Sequence, residues 1–234
     1  MRAVALIPAY NEADLIASTV AAVASLESVV GVIVIDDASK DGTGQFAAEA
    51  GALVRCLERR KGKGAVLEYG CRVLEETAPF GSHESLDAVL FIDADLGASA
   101  GQASVLLAAL ESGADLSIAG FPPAAGKAGF GMVKALAHDT ILELGGFETH
   151  APLSGQRALT MPCLKAVRPF AHGFGVEVAM SVKALWADMR LVEVPTTMAH
   201  RASGRTLQGF LHRGRQYFEV RLARRDLLRE YRKR

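Results

Sequence analysis

Residues 89–101 read VLFIDADLGASAG. Val89, Leu90, Phe91 and Ile92 form an unbroken apolar run, the pattern of a strand buried on both faces, and it stops abruptly at Asp93 and Asp95 with only Ala94 between them. Runs of the same kind recur along the first half of the chain. Strands are expected at 3–7, 31–35, 52–56, 87–92 and 115–119, with helices at 12–26, 42–50, 62–77 and 101–112 between them. Strands apolar on both faces that alternate with helices imply an α/β architecture with a mostly parallel central sheet flanked by helices. Right-handed crossovers then bring the loops that follow the strands to one edge, where such sheets bind ligands. Three of these loops are polar: PAYNEAD after the first strand, DDASKDGT after the second and DADLGAS after the fourth. Their carboxylates converge on one crevice.

The remaining organisation fits one domain over 1–234. A chain of 234 residues with 50% hydrophobic content buries a substantial core, and 26 Lys plus Arg against 26 Asp plus Glu leave no global field that would recruit nucleic acid or membrane. Cys56, Cys71 and Cys163 are few, odd in number and widely spaced, which points to small buried side chains in a reducing, cytoplasmic compartment. Pro8, Asn11 and Glu12 interrupt the first apolar run before a signal-peptide core or a membrane span is complete. Residues 1–120 form the half with the polar loops. Between 120 and 132 the sequence loosens into GFPPAAGKAGFG, a mobile loop that is either a lid or a plain surface connection. A helix-like MVKALAHDTILELGG, a strand near 155–160, a helix over 175–188, the short strand RLVEVP and a C-terminal helix over 206–234 complete the chain.

Two carboxylates at i and i+2 on a strand end repel each other unless a cation lies beside them. Mg²⁺ or Mn²⁺, a hard ion that keeps positions open for substrate phosphates, suits oxygen ligands at Asp93 and Asp95. An exposed turn with Asp95 as a helix cap is the plainer alternative. The neighbouring loops supply what nucleotide binding needs: Tyr10 as a flat face for a base, Asn11 and Glu12 as polar contacts, and Asp36 and Asp37 for base N–H groups or ribose hydroxyls. In RRKGKGAVLEYG, Lys61 and Lys63 stand among glycines at a helix start, a place that attracts phosphate.

VALIPAYNEADLIASTVAAV, VIVIDDASKDGTGQFAAEAGA, RRKGKGAVLEYG and VLFIDADLGAS, in this order, resemble the signatures of family 2 glycosyltransferases with the GT-A fold, a Rossmann-like nucleotide-diphospho-sugar transferase fold. Within that family the sequence is similar to polyprenyl-phosphate (dolichyl-phosphate) mannosyl- and glucosyltransferases, and more weakly to glucosyl-3-phosphoglycerate synthases. The resemblance implies a UDP- or GDP-hexose donor whose diphosphate is bridged to the protein by a divalent metal. It places Pro8, Ala9, Tyr10, Asn11, Glu12, Asp36 and Asp37 around the nucleoside, Lys63 near the donor, and Asp93, Ala94 and Asp95 at the metal motif. A histidine from the C-terminal region often completes the metal shell in such enzymes, and His200, beside Arg201 and Arg205, is the candidate. His138, His150, His172 and His212 are given no role.

The acceptor half, 121–200, carries LSGQRAL at 153–159, similar to a segment of the lipid-phosphate enzymes, and no Glu-Asp pair follows the D-x-D motif. A phosphate acceptor is already an anion and needs no catalytic base, whereas a sugar hydroxyl does. A polyprenyl phosphate acceptor is therefore expected, with Arg157 pairing its phosphate. Glu177, in GFGVEVAM, either orients the hydroxyl of a small phosphorylated acceptor such as a glycerate or is a helix-start glutamate favoured by the dipole. A nucleotidyltransferase is the remaining rival, and it lacks its Gly-rich triphosphate loop. From Arg201 to Arg234 there are eleven Lys or Arg against three acids, with Phe210, Tyr217, Val220, Leu227 and Tyr231 at helical spacing. Such a helix suits peripheral attachment to the cytoplasmic membrane face, packing on its own domain, or a homodimer contact.

Overall fold

The computed structural model describes residues 1–77, 86–121, 131–199 and 207–234, with side chains from 216 onward in the last stretch. Its seven strands are β1 (Ala3–Ala9), β2 (Val29–Asp36), β3 (Leu53–Cys56), β4 (Ala88–Phe91), β5 (Leu116–Gly120), β6 (Arg157–Thr160) and β7 (Leu191–Pro195). They form one sheet in the order β3-β2-β1-β4-β6-β5-β7. Only β6 runs against the others, antiparallel to both β4 and β5. The helices are α1 (Ile16–Ala24), α2 (Thr43–Glu49), α3 (Lys63–Thr77), α4 (Ser104–Glu111), α5 (Gly131–Gly145), α6 (Met161–Val167), α7 (Val176–Trp186) and α8 (Leu207–Tyr231).

Two apolar layers sandwich the sheet. One gathers Ala5, Ile7, Val34, Leu90 and Ile92 with α1 and α4; the other gathers Leu6, Ile33, Ile35, Val89 and Phe91 with α3, α6 and α7. Successive residues of β4 alternate between the layers, which is why its sequence shows no polar face. Complete burial of Leu90 and Phe91 stabilises the fold by about 1.5–3 kcal/mol each. Gly70 lets α3 approach β1 closely, because a Cβ there would overlap Leu6.

The expected helix at 101–112 instead begins as a 3₁₀ turn over Gly97–Ala103 and becomes α4 at Ser104. α6 was not expected. Thr160 caps it, accepting from Cys163 N at 3.4 Å, and a proline occupies its first turn. Seven residues are too few to show a clear period. Of the cysteines, Cys71 and Cys163 are buried but Cys56 is exposed, a correction to the expectation that all three lie inside; all are free thiols. The stretch 122–130, most of the expected mobile loop, and His200, Arg201 and Arg205 lie outside the described residues. Among the described residues no helix is long and apolar enough to cross a membrane.

β1 and β4 part where the site begins. Their pairing ends at Leu6 with Phe91, while β1 stays paired with β2 as far as Ala9 with Asp36. Pro8, which lacks an N–H, thus lies where β1 has a single neighbour. This is the point at which the strand order reverses, and the loops after β1, β2 and β4 open there into a crevice.

α8 packs on the domain. Val220 and Leu227 join Val133, Ala137 and Ile141 of α5 and Val178 and Val182 of α7 in a third cluster. Tyr231 stacks on Trp186, and Arg224 pairs with Glu143 at 2.6 Å. Leu227→Ala should therefore cost about 2–4 kcal/mol in urea unfolding. A cost below about 0.5 kcal/mol, the usual surface value, would show that α8 does not pack here in solution.

Candidate functional site

The loops after β1 and β2 are tied together by their own polar groups. Asn11, held at φ 54°, donates its N–H to Ser39 Oγ at 2.9 Å and accepts from Lys40 N at 3.0 Å; Glu12 N donates to Thr43 Oγ1 at 2.9 Å. Ala9 O accepts from Asp37 N at 2.8 Å. Asp36 is buried and accepts from Ser39 N at 2.9 Å. Asp37, also buried, accepts from Lys61 N at 2.6 Å and Gly62 N at 2.9 Å, one backbone amide on each oxygen. These two carboxylates brace loops, and each ionised carboxylate keeps further acceptor sites beyond these amides. Tyr10 is half-exposed at the rim, and the Arg60 guanidinium lies 3.9 Å above its ring. One face of the ring is thus already covered by a cation.

The centre of the crevice is Lys63, the first residue of α3. Its Nζ lies 2.6 Å from Asp93 Oδ1 and 2.9 Å from Glu177 Oε1. Burial alone would lower the ammonium's pKa, but Asp93 and Glu177 outweigh it and hold the lysine well above its ordinary value. Glu177, in the first turn of α7, is nearly fully buried. The second oxygen of Asp93 accepts from Gln156 Nε2 at 2.7 Å. Gly155 makes room for this contact: a Cβ there would overlap Lys63 Nζ and stand 2.5 Å from Asp93 Oδ2. Four separate segments, the starts of α3 and α7, the end of β4 and the turn before β6, thus meet at one ammonium group.

Arg157 requires a correction. It is 1% exposed, so it does not reach an acceptor. Its Nε donates to Ser154 O at 2.8 Å, one Nη to Ser181 Oγ at 2.9 Å and the other to Pro152 O at 3.4 Å. Burial lowers its pKa to about 10, with Glu177 and Glu193 pulling the other way, so it stays charged at neutral pH. Glu193 of β7 grips the same loop from its other end, accepting from Thr149 Oγ1, from His150 N at 2.8 Å and from Ala151 N at 3.0 Å. The two opposite charges clamp the loop over 149–156 that presents Gly155 and Gln156 to Asp93.

The residues present fit a hard divalent ion on donor chemistry. Asp93 has one oxygen at Lys63 and the other at Gln156, and Asp95 follows it two residues on, half-buried. Among the described residues no three side chains form a complete metal cage. Mg²⁺ binds through one or two carboxylates and completes its shell with water and phosphate. His200, the other candidate ligand, lies outside the described residues.

Gly155, Gln156 and Glu193 were absent from the sequence expectations. Gly155 and Gln156 lie inside the quoted LSGQRAL, beside the more conspicuous arginine, and Glu193 is a lone acid in an otherwise apolar strand. Arg157→Ala should destabilise the protein by about 3–5 kcal/mol in urea, the cost of removing one member of a buried charged network. A loss under about 1 kcal/mol would instead fit an arginine held ready for a ligand.

Comparison with known proteins bears on the family and the fold. An undecaprenyl-phosphate mannosyltransferase of Micrococcus luteus is 28% identical over 221 residues, covering 87% of this chain and 86% of that protein. A Haloferax volcanii protein named glycosyltransferase AglJ is 30% identical over 203 residues, 85% of this chain; the match spans only 63% of that relative's length. A solved structure of glucosyl-3-phosphoglycerate synthase from Mycobacterium tuberculosis, with Mg²⁺ and UDP, superposes with a TM-score of 0.74 at 25% identity, over 95% of this chain and 79% of that one. The same enzyme with Mn²⁺, UDP and glucosyl-3-phosphoglycerate gives 0.71 at 27% identity over the same shares. The GT-A fold expected from the sequence is the fold observed. The family model described as glycosyl transferase family 2 matches residues 4–172, from β1 through the loop before α7, and the chain belongs to that family.

Proposed function

We propose that the protein transfers a hexose from a nucleoside-diphosphate sugar to the phosphate oxygen of a polyprenyl phosphate, with a divalent cation at Asp95. The observation that carries the acceptor is the pairing of Glu177 with Lys63 at 2.9 Å inside the fold. Glu177 is thereby held in an ion pair, and a phosphate monoester acceptor needs no enzyme base. The relative named for undecaprenyl phosphate supports the same acceptor class.

The nucleoside lies in the crevice between the loops after β1 and β2, beside Tyr10 and Arg60. Exposed Arg59, Arg60 and Lys61 lie at the approach and offset charge on the donor diphosphate. A divalent cation, when bound, neutralises the charge that develops on the departing diphosphate. Asp93 fixes Lys63 and Gln156 fixes Asp93, so the ammonium is aimed before substrate arrives. Such preorganisation lowers the barrier because little reorientation accompanies the charge shift.

A second reading has its own support. The likeness to glucosyl-3-phosphoglycerate synthase covers 95% of this chain, and Glu177 would then orient an acceptor hydroxyl. Assays with UDP- and GDP-hexoses and either polyprenyl phosphate or phosphoglycerate decide between them. For the lipid phosphate, Glu177→Gln should keep activity within about 10-fold, since the amide oxygen still accepts from Lys63. For a hydroxyl acceptor, losing the base should cost on the order of 10²–10⁴-fold.

Gly155→Ala should lower the transfer rate on the order of 10²-fold by displacing Lys63 and Asp93 by about 1 Å. Its unfolding midpoint should fall as well, because the same clash strains the charge pair, so turnover is measured below that midpoint; wild-type turnover there would contradict the role given to the Lys63–Asp93 pair. Asp95→Ala should abolish metal-stimulated turnover, and full activity of that variant in EDTA would remove the cation from Asp95.

A further inference from the structure

α8 has a second amphipathic division beyond the one that docks it. Its inward face, Val220, Ala223 and Leu227, is buried against the domain. Directly opposite, Phe218 and Leu222 are 63% and 48% exposed, an i, i+4 apolar pair facing solvent. At 3.6 residues per turn, Arg221, Arg225 and Arg229 fall within about 60° of Phe218, and the exposed Arg232 and Lys233 follow just past the helix end. The acids of the helix, Glu219, Asp226 and Glu230, fall outside that arc on one flank. Asp226 reaches Arg225 at 3.1 Å and Arg229 at 3.7 Å, exposed pairs of the kind that hold little energy. The arc is therefore basic and apolar at once, on a protein whose formal net charge is +0.

We propose that this outward face of α8 lies on the surface of an anionic phospholipid bilayer. Arginines would pair with lipid phosphates while Phe218 and Leu222 enter the headgroup boundary. The face differs from the one that sequence spacing picked out, because Val220 and Leu227 of that pattern are sealed against α5 and α7. A second copy of the chain would bring an equal basic arc against this one in a twofold contact, and like charges disfavour it. The inner side of the same helix touches the catalytic half. Glu219 accepts from Phe174 N at 2.8 Å, and a Cβ on Gly175 would overlap Ala223, two residues before Glu177. A bilayer on the outer face would thus lie one helix away from the Lys63–Glu177 pair, where a lipid-borne phosphate is needed. Only this purpose rests on the acceptor proposed above; the docking face itself does not.

Co-sedimentation of the full chain with vesicles tests it. Wild type should bind vesicles of phosphatidylglycerol and phosphatidylcholine in equal parts, release in high salt, and ignore phosphatidylcholine alone. Replacing Arg225 and Arg229 together by Ala should weaken binding about 25-fold, from about fivefold per arginine. Phe218→Asp with Leu222→Asp should also lose binding. Both variants should keep the wild-type unfolding midpoint and turnover on a short, water-soluble polyprenyl phosphate. Equal binding to both vesicle types, undiminished binding by the variants, or a dimer that the Phe218 and Leu222 changes dissociate would overturn the proposal. Vesicle binding without transfer to any polyprenyl phosphate would remove the acceptor reading and leave the docking face standing; transfer without vesicle binding would do the reverse.

Discussion

An ammonium group held mostly away from water needs partners, and Lys63, whose side chain is 19% exposed, has two. The cost of desolvating it is several kcal/mol, and only close opposite charge with good geometry offsets it. Asp93 at 2.6 Å and Glu177 at 2.9 Å meet that requirement. Much of the surrounding chain can be understood as what allows the meeting. β4 must end where Asp93 turns into the crevice, and α7 must begin at Val176 so that Glu177 faces it. Gly155 must lack a side chain. Gly64 must lack one too, since a Cβ there would overlap Ala171 O and push the start of α3 away from the segment leading to α7. Removing either carboxylate would leave the lysine underpartnered, so the site and the fold share this constraint.

The same accounting separates acidic residues that look alike. Asp36 and Asp37 hold backbone amides, Asp93 holds Lys63 and Gln156, and Glu193 holds the turn at 149–151. Each is engaged in building a loop. Asp95, two residues beyond Asp93 on the same strand-end loop, is half-buried and is the carboxylate to which the proposed function gives a cation. Arg157 and Glu193 act from behind, one at each end of the loop that carries Gln156, so a shift in either would be felt at Asp93 without touching substrate.

The parallel sheet, its polar edge and the D-x-D loop were legible because each is a local pattern: an apolar run, a helix start, two acids on a strand end. Lys63 was legible as a cation at a helix start for the same reason. Its partners were less so, since Glu177 and Gln156 reach it from distant segments and no spacing encodes that meeting. Arg157 was misread for a physical reason: an arginine beside Gly and Gln looks the same in sequence whether its guanidinium meets solvent or three buried oxygens. On α8 the helical spacing of Val220 and Leu227 was plain, but what covers them depends on α5 and α7. α6 went unseen because its cap and proline are short-range signals without a period to support them.

The pairing of Glu177 with Lys63 has a kinetic signature in the pH dependence of kcat/KM for transfer to polyprenyl phosphate. With no enzyme base to deprotonate, the rate should rise only with the second ionisation of the acceptor phosphate, near about pH 6, and then stay level through the neutral range. The profile should be unchanged in shape in Glu177→Gln. An additional ionisation on the rising limb that disappears in that variant would show Glu177 taking a proton in the reaction, and would contradict the assignment of its charge to Lys63.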